Sequence, residues 1–176
     1  MEKQIRENRI VLGQILDMLN QLNQSDYVSP LDIFGGSSLG QHYRHIMEFY
    51  LLLIEGVQSG LVAYDKRIRK KEWEDQLTVA KIMFKEIDDA LSLIGSDTDL
   101  MLEYGIGYEN DKYSSEQIKT TLRRELIFVL EHSIHHLAMI KMGLRYVRPD
   151  LKIDPNVGVA PSTLNYHSNV HTDLST

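Results

Sequence analysis

Apolar residues recur every three or four positions over four long stretches of the chain, and strand-like alternation is nearly absent. The first stretch, about Glu2 to Leu22, carries Ile5, Ile15, Leu19 and Leu22 near one face. Asn23 to Gly36 holds Ser25, Asp26, Pro30 and a Gly-Gly pair and reads as a loop. A second helix is predicted from Ser37 or Ser38, either a suitable N-cap, to about Ser59, where Gly60 stops it. Its stripe is Leu39, Tyr43, Ile46, Phe49, Tyr50, Leu53 and Val57. Leu61 to Lys71 forms a charged connector. The third stretch has the cleanest pattern: Trp73, Leu77, Ala80, Phe84, Ile87, Leu91 and Ile94, with Gly95 as its end. A loop follows through Tyr113, in which LEYGIGYE has room for a short hairpin and Tyr104, Tyr108 and Tyr113 pack the loop onto the helices. Ser114 and Gln117 match the capping-box spacing and open a fourth helix that continues to about Val147. Four amphipathic helices imply an all-α, four-helix-bundle domain over residues 1–166, with an irregular C-terminal tail whose last polar residues, 167–176, are expected to be mobile.

Composition narrows the partners and the chemistry. A chain of 176 residues is long enough to bury a core without staples. A formal net charge of -6 argues against nucleic acid as the main partner. With no cysteine, disulfides, thiolate ligands and a cysteine nucleophile are excluded, so any metal must be held by nitrogen and oxygen. The charged opening MEKQIRENRI is not a secretory signal, and no apolar run is long enough for a membrane. The expected setting is soluble and cytoplasmic.

Five of the seven histidines fall in two clusters, His42/His45 on the second helix and His132/His135/His136 on the fourth. Residues four apart on a helix differ by only roughly 40° around its axis, so His132 and His136 stack on one face. Two ligands of one ion require that arrangement. His135 points away, into an outer role. On the second helix His42 and His45 both can face inward; His42 lies nearer the centre of the stripe, and periodicity makes no clean choice between them. The alternative for each histidine is a hydrogen-bonded core residue. Two clusters on separate helices favour a shared purpose, because burying several imidazoles without one is costly. Glu125, one to two turns before His132, is either a partner behind that ligand or the counter-charge of a neighbouring arginine. Three imidazoles with open positions would form a catalytic rather than a closed structural metal site. The basic run Lys66, Arg67, Arg69, Lys70 and Lys71 is either a solvated connector or an anion-recognition patch, with Arg67 as the bidentate donor and Asp65 beside it.

SSLGQHYRHIMEFY on the second helix and ELIFVLEHSIHHLAMIKMGLR on the fourth resemble the DinB-like (DinB/YfiT) superfamily. YDKRIR and GVAPSTLNY are similar to a bacterial branch of it, and the likeness runs from Ser37 to Tyr166. The resemblance implies an up-down-down-up bundle with one metal-ligand histidine on the second helix and an HxxxH pair on the last. Carried over residue by residue, the ligands are His45, His132 and His136, which leaves His42 as a pocket residue. It also implies a divalent ion, nickel or zinc, and a possible homodimer. The activity implied is that of a thiol S-transferase using a low-molecular-weight thiol on a small-molecule substrate, with Asp65, Arg67 and His42 as pocket candidates. A metal-dependent hydrolase, or a bundle that binds a metal or ligand without catalysis, is the alternative. The chain departs from the family where HHRGQ is usual: it reads HHLAM, so Leu137 replaces an arginine whose role cannot be transferred.

Overall fold

A computed structural model describes residues 1–109 and 112–166; the expected mobile tail, with His167 and His171, lies outside the described residues. The chain is mostly helical. Its long helices are α1 (Glu2–Asn20), α3 (Leu39–Ser59), α5 (Leu77–Ser92) and α6 (Leu122–Val147), joined by the short α2 (Gln24–Val28) and α4 (Lys71–Asp75). Among the described residues, no helix is long and apolar enough to cross a membrane.

Each boundary of α3 has a local cause. Ser38 caps it, its hydroxyl accepting from Gln41 N at 3.2 Å while the Gln41 side chain accepts from Ser38 N at 3.1 Å. At the other end Gly60 takes the left-handed conformation (φ 80°) that only glycine adopts without steric cost. The third apolar stretch is one pattern but two helices, because Gln76 is extended (φ -128°, ψ 102°) and separates α4 from α5. The segment expected as a plain loop, 23–36, contains α2, capped by Asn23, and a 3-10 turn at Asp32–Phe34.

The expectation of an all-α bundle is corrected. A three-stranded sheet, in the order β1-β2-β3, is built from β1 (Leu61–Val62), β2 (Asp99–Glu109) and β3 (Lys112–Thr121). β2 and β3 form a long antiparallel hairpin, and β1 pairs in parallel with β2 through Leu61↔Met101 and Val62↔Leu102. The last helix consequently starts at Leu122 rather than Ser114. Its cap is Thr121, whose hydroxyl accepts from Arg124 N at 3.3 Å, and Ser114 and Gln117 lie in β3 opposite Gly107 and Glu103. A capping-box spacing satisfies only a local condition; ladder hydrogen bonds to β2 along all of β3 outweigh it. Tyr104 stands 38 % exposed on β2 and donates to Glu116, so it does not fasten a loop to the helices; the side chains of Tyr108 and Tyr113 lie outside the described residues.

The core draws on every long helix: Leu12, Ile15 and Leu19 of α1, Tyr43, Ile46 and Leu53 of α3, Phe84 and Leu91 of α5, and Leu126, Leu137 and Ile140 of α6. Here α1 and α3 each pack against both α5 and α6. A buried polar node fixes three of these helices to one another. Asn8, fully buried, donates to Leu126 O at 3.1 Å and to Gln4 O at 2.8 Å, and accepts from Tyr50 Oη at 2.8 Å. Satisfied on all sides, it sets how α3 and α6 face each other and hence where their histidines meet. Beyond α6 the chain returns along that helix: Val157 is buried, and Lys141 Nζ donates to Pro155 O at 2.6 Å and Val157 O at 3.0 Å.

Candidate metal centre

α3 and α6 face each other through their histidines. His45 Nε2 lies 2.8 Å from His132 Nε2. The ring centroids are separated by 4.9 Å for His45–His132, 4.4 Å for His45–His136 and 4.6 Å for His132–His136. One nitrogen from each ring lies within 4.8 Å of the others. The three rings are half-buried. The structure thus brings together His45, His132 and His136 from three separate turns of two helices. His42 stands one turn away: its ring is 5.9 Å from that of His136 and 4.4 Å from Phe34. His135 is exposed.

The walls of the centre are aromatic. Phe49, one turn after His45, stacks on His132 at 4.0 Å with planes 20° apart, and Tyr64 stacks on Phe49 in turn, with centroids 4.9 Å apart. Phe34 reaches over His42 from the 3-10 turn into space left by Gly143, where a Cβ would come within 2.3 Å of its ring. Phe49 belongs to the apolar stripe and reads as a core residue in the sequence; its position four after His45 was the signal for a wall. Phe34 sits in an apparent loop with no periodicity to give it away.

These walls set the protonation of the rings. Burial, then the neighbouring Arg67 and His132, lowers the His45 pKa to about 3. Burial, then His45 and His132, lowers that of His136 to about 3. His132 and His42 are lowered as well, in both cases first by burial. At neutral pH all four rings are uncharged and keep a lone pair, which is the state a ligand must be in.

The donor set fits a divalent ion. Tetrahedral zinc with bonds of about 2.0–2.1 Å holds its nitrogens about 3.3 Å apart, which is wider than the 2.8 Å between His45 and His132 and inside the 4.8 Å that spans all three nitrogens. Two atoms behind the set are also informative. His136 Nδ1 is buried with no hydrogen-bond partner among the described residues, and His42 Nε2 likewise. His45 Nδ1 instead faces a guanidinium nitrogen of Arg67. Metal-bound histidines usually donate their second N–H to an acceptor, and Arg67 offers only donors.

The remaining sequence candidates are placed as follows. Arg67 touches the centre through His45, and its guanidinium lies 5.6 Å from the Phe49 ring centroid. Asp65 lies on the hairpin side, accepting from Gly105 N at 2.8 Å. Glu125 is fully buried but does not back His132. It accepts from Tyr64 Oη at 3.0 Å, Thr120 Oγ1 at 2.6 Å and Arg124 at 2.8 Å, so the arginine counter-charge is the role it takes.

Fold and site together define a helical protein with a hairpin at one flank and a three-histidine centre between its second and last long helices. The chain belongs to the DinB superfamily, whose family model matches residues 10–140. No curated protein and no solved structure matches it.

Proposed function

We propose that His45, His132 and His136 hold one divalent ion, nickel or zinc, and that the protein is a metal-dependent enzyme of the thiol S-transferase type. The observation that carries this reading is the convergence of three uncharged imidazoles from α3 and α6 within ligand distance of one another. Membership of the DinB superfamily supports it, and with no cysteine in the chain no thiolate competes with imidazole for the ion. We further propose that the four long helices keep the family's up-down-down-up order around this centre, that the chain acts in the cytoplasm, and that it forms a homodimer.

When bound, such an ion acts as a Lewis acid and lowers the pKa of a thiol or water beside it. The chain's own residues do the rest. Phe49, backed by Tyr64, keeps bulk water from one face of His132. His42 presents a buried nitrogen in need of a partner and can take a polar group of the substrate. Arg67 offers a fork of donors to an anionic substituent, with Asp65 fixing the adjacent hairpin. In the reaction a bond forms between the thiol sulfur and an electrophilic carbon of the small-molecule substrate. The bond from that carbon to its leaving group breaks, and the leaving group departs with the electron pair while the thiol proton passes to solvent.

The test has two stages. Untagged protein is expected to carry about one divalent ion per chain, and the His132→Ala/His136→Ala variant close to none; equal metal in both would end the proposal. Metal-loaded protein is then offered a panel of low-molecular-weight thiols with electrophiles. Turnover that requires thiol supports the transferase, turnover with water alone replaces it with a hydrolase, and no turnover leaves a metal-binding protein without catalysis.

A further inference from the structure

Arg67 stands between two environments. On one side its guanidinium meets His45 Nδ1. On the other it lines an open groove of about 430 Å³, shared with Asp65, Lys66 and Arg69 and closed opposite by the Gly105–Gly107 backbone of β2. Lys66 is engaged by Glu103 at 2.9 Å, and Asp65 by the Gly105 amide. Among the described residues, that leaves the guanidinium groups of Arg67 and Arg69 as the groove's cationic donors. Arg67 Nε is moreover buried with no hydrogen-bond partner among the described residues.

The contact with His45 carries a constraint. Arginine can only donate, so His45 Nδ1 must be the acceptor and its ring proton must sit on Nε2. A neutral ring in that tautomer donates to His132 Nε2, 2.8 Å away, and has no lone pair for an ion on that side. For His45 to ligate through Nε2, the proton must move to Nδ1, where it collides with the N–H groups of Arg67. The arginine and the ion therefore compete for one imidazole, though they touch different atoms of it.

We infer that the groove between residues 65–69 and Gly105–Gly107 binds a small oxyanion, a carboxylate or phosphate group, and that Arg67 couples it to the histidines by leaving His45 for the oxyanion. The inference rests on the three-histidine reading above. An oxyanion offers the guanidinium a two-bond partner in place of one ring nitrogen. Once Arg67 has turned to it, His45 is free to take the ligand tautomer. Coupling of this kind is reciprocal: what favours the oxyanion favours the ion by the same factor. A substrate with an anionic arm would thus be bound best by the metal-loaded protein.

The experiment measures zinc affinity by competition with a chromophoric chelator at fixed pH, with and without succinate or methyl phosphate. For the native chain one of these anions is expected to tighten zinc several-fold, and which one acts tells carboxylate from phosphate. Arg67→Met removes the competitor and is expected to bind zinc more tightly than the native chain while losing the response to anion. A residue that merely supported the structure would, on removal, weaken zinc. Arg69→Gln leaves His45 untouched and should keep the anion-free affinity but blunt the anion effect, which serves if Arg67→Met folds poorly. Zinc affinity of Arg67→Met no higher than native, or anions that act equally on native and variant, overturns the coupling. His132→Ala/His136→Ala, run alongside, separates the two failures: if it still binds zinc the three-histidine reading is wrong, and if it does not, only the coupling is at stake.

Discussion

Glu125 shows how a single buried carboxylate can be structural although it lies close to a candidate centre. Three donors converge on it, and two of them, Tyr64 and Thr120, come from the connector after α3 and from β3. The Tyr64 phenol is pushed up first by burial and then by this carboxylate, so it stays protonated and donates. Removing the acceptor strands a buried hydroxyl and opens a cavity. Glu125→Ala is expected to cost about 2–3 kcal/mol, and Tyr64→Phe, which leaves the carboxylate two donors, about 1 kcal/mol. Urea unfolding of the two variants checks the order, and a Tyr64→Phe loss as large as that of Glu125→Ala would contradict it. At this scale the sequence is legible where a side chain's role depends on its own helix. His132 and His136 follow from a four-residue spacing. The choice between His42 and His45 does not, because it turns on Phe34 and Arg67, which arrive from segments that no helical period connects to α3.

Elements are placed by what lies between them, and two glycines separate the intrahelical from the interhelical effect. Gly40 on α3 is the point of closest approach to α4: a Cβ there would sit 2.1 Å from the Glu74 carbonyl oxygen and 2.9 Å from the Tyr27 ring. A backbone oxygen cannot rotate aside, and Arg44, ion-paired with the Glu74 carboxylate at 2.8 Å, holds α4 where it is. Gly13 on α1 has nothing among the described residues within 4 Å of the same position. Alanine is the better helix former by about 1 kcal/mol, so Gly13→Ala is expected to raise the melting temperature. Gly40→Ala is expected to lower it by the equivalent of about 1–3 kcal/mol, the usual cost of overpacking. Thermal melts of the pair test this, and changes of the same sign would contradict it. The same division explains the misread hairpin. α1, α3 and α5 bury one face each and so advertise a 3.6-residue period. β3 reads Lys-Tyr-Ser-Ser-Glu-Gln-Ile-Lys-Thr-Thr, and from Ser114 to Thr121 it is largely exposed, with no buried face to impose alternation. Its conformation comes from pairing with β2, and that partner is not visible from β3 itself.

For the whole molecule, the histidine centre makes stability and metal affinity respond to pH in different ways. In the unfolded chain a histidine titrates near 6.5. In the folded, metal-free protein His45 and His136 do so near 3, and His132 and His42 are also depressed, chiefly by burial. Above the unfolded value both states hold these rings uncharged, and the full stability is present. As pH falls below it, the unfolded chain takes up protons that the folded protein refuses, so stability drops through the window from about 6.5 toward 3. The melting temperature of metal-free protein is therefore expected to fall between pH 7.5 and 5. The His132→Ala/His136→Ala variant should fall less, since it lacks two of the four groups; equal slopes would contradict the assignment. Metal affinity should behave otherwise. Protons compete with an ion only where they bind the folded rings, which for His45 and His136 is near 3 and for His132 is below its usual range. Zinc affinity of the native protein should thus change little between pH 7.5 and 5.5, where an exposed set of histidines would lose it steeply. Zinc at 100 times its dissociation constant adds about 2.7 kcal/mol to folding. With affinity steady and metal-free stability falling, that addition becomes a growing share of what keeps the protein folded as the solution is acidified. Chelator competition at several pH values, set beside melts with and without zinc, measures both quantities on one protein.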